Sequence, residues 1–164
     1  MLGLSLSTFT TVHVILCFVA IGSGLIVIGG LLRSKLLDGW TAIYLLSAVA
    51  ASATGFGFPF DKLLPSHYLG MISLVVLIVA ALARYPFHLA GAWRWVYAVG
   101  AVLGVYFQIF VGIVQLFQKV PSFQLLAPTQ SEPPFAIAQG IALVVFVALA
   151  VAGAIKFRPL PVQP

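Results

Sequence analysis

Charge is what this chain has least of. Only 7% of its 164 residues are Asp, Glu, Lys or Arg, while 62% are hydrophobic. Soluble domains carry about 25% charged residues, so a water-soluble globule is excluded. Acidic residues are scarcest, three against eight basic ones, for a net charge of +5. The basic residues nevertheless stand singly or in twos between apolar runs, which is not the clustered footprint of a nucleic-acid binder. Cys17 is the single cysteine, which excludes an intrachain disulfide and gives no hint of redox compartment. A glycine-rich phosphate loop after a strand, a nucleophile elbow and an HExxH zinc helix are all missing, so no enzyme class is indicated. Internal repeats and low-complexity segments are missing as well.

Long apolar runs are abundant. A helix crosses a hydrocarbon core of about 30 Å in roughly 20 residues, and five windows satisfy this: Phe9–Leu32, Trp40–Phe58, Ser66–Ala83, Trp95–Phe117 and Phe135–Ile155. Gly55, Gly57 and Pro59 close the second, Pro65 precedes the third, Pro86 and Pro121 follow the third and fourth, and Pro133–Pro134 opens the fifth. Runs such as SLVVLIVAALA do not alternate in polarity, which excludes the strands of a membrane barrel. The expected fold is all-α, a single integral membrane bundle of five transmembrane helices. The first window reads as a retained helix: no Lys or Arg precedes it, and it exceeds the roughly 7–15 apolar residues of a signal peptide.

The charged side chains fall outside these windows, as expected where each would cost about 2.5–3.5 kcal/mol at a helix centre. Assigned alternately to two sides, the connections put Arg33, Lys35, Arg84, Arg94, Lys156 and Arg158 on one and only Lys62 and Lys119 on the other. The positive-inside rule then sets the carboxyl terminus in the cytoplasm and the amino terminus outside. Trp40, Trp93 and Trp95, with Tyr44, Tyr85 and Tyr97, gather near the cytoplasmic side. Trp40, Arg84, Trp93, Arg94 and Trp95 are therefore expected to anchor the chain at the interface with anionic headgroups, or to dock a cytoplasmic partner.

Polar groups inside the spans are the candidate ligand-binding positions, and they also serve as interhelical glue. His13, Thr54 and Gln139 each stand four residues from the outer edge of their windows, about 6 Å deep at 1.5 Å per residue. Gln115 is slightly shallower, and Asp61, His67, Lys119 and Glu132 lie above. Together they suggest an outward-facing cavity for a polar headgroup, a quinone ring or an ion; the alternative is that they satisfy loop carbonyls and one another. In the fourth window Tyr97, Gly100, Gly104, Gln108, Gly112 and Gln115 share a stripe about 120° wide. That face is expected to be buried, as a packing seam or as the lining of a pore. Gly22, Ser23, Gly24, Gly29 and Gly30 in the first window, and Ser47, Ala51 and Gly55 in the second, look like packing surfaces. No cofactor is expected. Haem would need two histidines at matched depth, yet only His13 lies in a span, with His67 at the outer boundary and His88 on the opposite side. No metal site is expected at His13, His67, Asp61 or Glu132.

The strings ARYPFHLAGAWRW (Ala83–Trp95) and APTQSEPPF (Ala127–Phe135), with LDGWT from Leu37, TGFGFPF from Thr54 and KVP from Lys119, resemble those of a group of uncharacterised small bacterial inner-membrane proteins. The resemblance runs over nearly the whole chain. It implies a multi-pass protein of the bacterial cytoplasmic membrane and carries no activity. In APTQSEPPF the prolines stiffen an outer loop, with Glu132 before the helix start, that could form a lid over the polar layer. The expected function is that of an accessory or small-ligand-binding membrane protein whose partners are the bilayer and other membrane subunits, with no nucleic acid. A small redox protein handling quinone or haem, and a minor channel or carrier, remain as alternatives.

Overall fold

A computed structural model describes residues 5–59, 62 and 65–158. Among these residues there are six helices and no strand: α1 (Leu6–Leu32), α2 (Asp38–Gly55), α3 (Pro65–Arg84), α4 (Trp93–Lys119), α5 (Pro121–Leu126) and α6 (Pro133–Lys156). Four of them, α1, α3, α4 and α6, are long and apolar enough to cross a membrane. The remaining expected span, α2, has 18 residues, about 27 Å of helix. Its apolarity is diluted by Asp38, Thr41, Ser47, Ser52 and Thr54. The helix also stops at Gly55, where Phe56 and Gly57 amides turn back onto the Ala53 and Thr54 carbonyls, short of the expected end at Phe58. The short α5 interrupts what the sequence suggests is a plain loop; Pro121 supplies its first residue, where no amide is needed.

Helices α1, α2, α3 and α4 form a closed ring of neighbours, and α6 lies outside it against α4 and, more lightly, α1. The core is built for close backbone approach. Ala20, Ala48, Ala80, Ala98 and Ala101 are fully buried around Tyr44, Leu77, Val102 and Val105. Small residues at the seams are what drives helix association where lipid tails are as apolar as leucine. The outward surface is the reverse of a soluble protein's: Phe18, Leu46, Val75, Val144 and Ile155 are all exposed, Leu46 by 73%. An apolar belt of this extent needs a nonaqueous surrounding.

Charged groups sit in the terminal turns of the helices and in the connections. At one end, Arg84 on the last turn of α3 forms an ion pair with Asp38 on the first turn of α2, and its guanidinium lies 5.6 Å from the Tyr85 ring centre. At the same end Arg94 Nη1 donates to the Phe157 carbonyl (2.6 Å) and the Arg158 amide donates to Ser34 Oγ (2.7 Å). These contacts gather the α1–α2, α3–α4 and post-α6 segments.

Candidate functional site

The polar groups of the other end are distributed over several interfaces. His13, on α1, faces the last turn of α2, where its Nδ1 lies 2.8 Å from Thr54 Oγ1. The Thr54 hydroxyl spends its one hydrogen on the Ala50 carbonyl (2.7 Å), so it accepts from the imidazole N–H. That leaves Nε2 as an acceptor, and Cys17 Sγ stands 3.7 Å from it. The Phe58 ring closes edge-on over the imidazole at 5.2 Å, and Phe9 packs on Phe58 at 5.0 Å. A chain from thiol to imidazole to hydroxyl to backbone thus ties α1 to α2.

Cys17 is the member of this group that sequence reasoning missed. As a single cysteine it offers no disulfide, and the sequence sets His13 only against the distant His67. The available signal was its spacing from His13, four residues, which places both on one helix face.

His67 is buried near the start of α3, its ring 5.5 Å from that of Phe56. Nearly two turns deeper, Ser73 meets Ser52 across the α2–α3 seam at 3.3 Å. Gln139 lies on the other side of the bundle, where its Nε2 donates to the Phe110 carbonyl (3.2 Å). Its Oε1 is buried without a hydrogen-bond partner. The structure therefore brings together His13 and Thr54, sets His67 near the same end of α2, and puts Gln139 on the α4–α6 seam. Asp61 lies outside the described residues.

The α4 stripe divides into two halves. A Cβ at Gly100 would stand 3.1 Å from the Ala80 Cβ, and one at Gly104 would overlap the Tyr44 hydroxyl. Gln108 is half-buried. Beyond it, Gly112 has open space and Gln115 is exposed. The expectation that the whole face is buried is corrected: the stripe is closely packed at Gly100 and Gly104, while Gly112 and Gln115 are exposed. The same distinction holds on α1, where Gly24 and Gly30 are closely packed while Gly22 and Gly29 face open space.

Glu132 is engaged by its own loop. Its carboxylate accepts from the Thr129 hydroxyl (2.9 Å) and from the Thr129 and Ser131 amides, while Gln130 Nε2 donates to the Val114 carbonyl (2.9 Å) and fastens the loop to α4. Slight desolvation pushes the Glu132 carboxyl upward. The hydrogen bonds from Thr129, Ser131 and its own amide outweigh it and hold the carboxyl below its ordinary value. A carboxylate with a depressed folded pKa supports its loop above the unfolded value and loses that support as pH falls through the folded one. Amide protection at Thr129 and Ser131 is therefore expected to hold from neutral pH down to the ordinary carboxylate range and to drop below it. Glu132→Gln should lower that protection already at pH 7; equal protection in the two proteins would show that the charge does not hold the loop.

The interfacial candidates divide in the same way. Trp40 and Trp95 are exposed, Trp93 stacks on Phe87 (4.0 Å, 9° between planes), and Arg84 and Arg94 are committed to Asp38 and the Phe157 carbonyl. An apolar groove of about 320 Å³ runs between α4 and α6, and a depression of about 260 Å³ lies at Gly91, Ala92, Arg94 and Trp95; none of His13, Thr54, His67, Gln108, Gln115, Glu132 and Gln139 lines either. Among the described residues no group of three metal-ligating side chains occurs.

No protein-family model matches this chain, and no curated protein or solved structure shows significant similarity to it.

Proposed function

We propose that the chain is a five-span protein of the bacterial inner membrane, with its amino terminus outside and its carboxyl terminus in the cytoplasm, acting as an accessory or small-ligand-binding subunit. The observation that carries the fifth span is that α2 is bonded at both ends of the bundle. Asp38 pairs with Arg84 at the cation-rich end, and Thr54 meets His13 at the other. A helix tied at both ends travels the same depth as its neighbours, and Thr41 and Ser47 between those ends are buried. The gathering of Arg33, Arg84, Arg94 and Arg158 at one end supports the orientation. The ARYPFHLAGAWRW and APTQSEPPF strings support the bacterial membrane. Reporter fusions at the two termini should report opposite compartments; the same compartment for both would overturn the five-span reading.

The ligand-binding part of the reading rests on Gln139, whose buried Oε1 has no donor among the described residues. His13, Thr54, His67, Gln108, Gln115 and Glu132 remain the other positions proposed for ligand contact. A redox reading has one observation in its favour: His13 and His67 both pack against aromatic rings at the end of α2, those of Phe58 and Phe56. An absorption spectrum and a solvent extract of the purified protein separate the readings, since bound haem or quinone would support the second and a colourless, quinone-free preparation would remove it.

A further inference from the structure

We propose that the α4–α6 groove and the depression beside Arg94 form a single binding site for an anionic phospholipid, with one acyl chain in the groove and the phosphate at Arg94. The groove is lined almost entirely by apolar atoms, from residues including Val99, Leu103, Tyr106, Phe146, Ala150 and Ala154. Its α6 side runs from Leu143 to Ile155, about 18 Å along the helix axis and close to the length of one leaflet's hydrocarbon. Alanines at 150 and 154 keep it open, and the Tyr106 and Phe146 rings, 5.9 Å apart between centres, pack on each other along its lining. A volume of this size is within the range of specific ligand sites.

The polar partner lies at the cation-rich end of the groove. Trp95, Val99, Leu103 and Tyr106 follow one another on a single stripe of α4. The depression that Trp95 lines with Gly91, Ala92 and Arg94 therefore continues the groove toward the cation-rich end. Arg94 lines the depression, and its Nη1 is held by the Phe157 carbonyl. Lys156, in the last turn of α6, adds a further cation at this end. An acyl-sized groove leading to a guanidinium is complementary to an anionic lipid, and basic recesses between spanning helices bind such headgroups.

The site deepens the membrane reading and rests on α4 and α6 crossing the bilayer. The test uses the full chain in mild detergent, exposed to equal amounts of phosphatidylglycerol and phosphatidylcholine, with retained lipid read by native mass spectrometry. Phosphatidylglycerol should be retained preferentially, and Arg94→Gln should reduce the preference about fivefold, the factor for one cation near an anionic surface. Ala154→Phe, which fills the groove, should abolish retention of both lipids, whereas Val144→Phe, on an exposed face of α6, should leave it unchanged. Should Ala154→Phe fail to fold, Leu103→Trp closes the groove from α4. Equal retention of the two lipids by the unaltered protein, or full retention by a folded groove-filled variant, overturns the proposal. A chain released from membranes by alkaline carbonate would instead overturn the membrane reading on which it rests.

Discussion

Gly104→Ala is expected to cost about 3 kcal/mol of unfolding free energy, the combined scale of an overpacked core and a hydroxyl forced from its acceptor. The Tyr44 hydroxyl donates to the Ala101 carbonyl at 2.8 Å, and its ring is fully buried. A methyl at position 104 would overlap that oxygen and come within 2.7 Å of Leu77 Cδ2. Leucine can rotate, but Tyr44 is held on its far side by Gly24, where an added Cβ would stand 2.9 Å from its ring. The conflict is therefore with the hydroxyl, and a double-mutant cycle isolates it. In a Tyr44→Phe background the same Gly104→Ala change should cost about half as much, a coupling of roughly 1–2 kcal/mol. Gly112→Ala, two turns further along the same stripe and facing open space, should stay within about 0.5 kcal/mol of neutral. Denaturation in mixed micelles measures all four; equal costs for Gly104→Ala with and without the Tyr44 hydroxyl would show that another contact sets the penalty.

That contrast marks how far the sequence was legible. Windows of apolar residues located α1, α3, α4 and α6 to within three residues at each end, because burial in lipid imposes one requirement over the whole length of a helix. Periodicity grouped Gly100, Gly104, Gly112 and Gln115, since a stripe is a property of one helix alone. Which part of the stripe meets a neighbour depends on where the other helices lie, and that information is nonlocal: Tyr44 reaches Gly104 from 60 positions away. The same limit explains the candidate site. Depth counting placed His13 and Thr54 at one level, and they do meet. It placed Gln139 at that level too, but depth says nothing of direction around the bundle. The prolines of APTQSEPPF mark a stiff loop, but that the Glu132 carboxylate holds the turn from Thr129 depends on the fold of that loop. Cys17 was the legible residue passed over, its four-residue spacing from His13 being a local signal.

The cation-rich end supplies the second large expected effect. Phe157→Ala should cost about 3 kcal/mol, the scale of removing a buried aromatic side chain from a packed site. Phe157 follows the last turn of α6 and is fully buried, its ring centre 5.7 Å from that of Tyr97. Its backbone is held as closely as its ring: the amide bonds to Gly153, the carbonyl accepts from Arg94, and the next amide bonds to Ser34. A segment held by its ring and by three backbone hydrogen bonds is not free to enter a protease's active site, so the Lys156–Phe157 bond should resist trypsin in detergent. Without the ring, the hydrogen bonds alone must hold the segment in contact with water, where each contributes only about 1 kcal/mol. Cleavage after Lys156 should then be about tenfold faster or more, tracking the population of the opened end. Arg94→Met removes one bond but leaves the ring seated, and should accelerate cleavage less. If the order were reversed, the Arg94 bond rather than Phe157 burial would be what fastens α6 to the α1–α2 and α3–α4 connections. If neither variant were cleaved faster than the unaltered chain, the end of α6 would be held by contacts other than these.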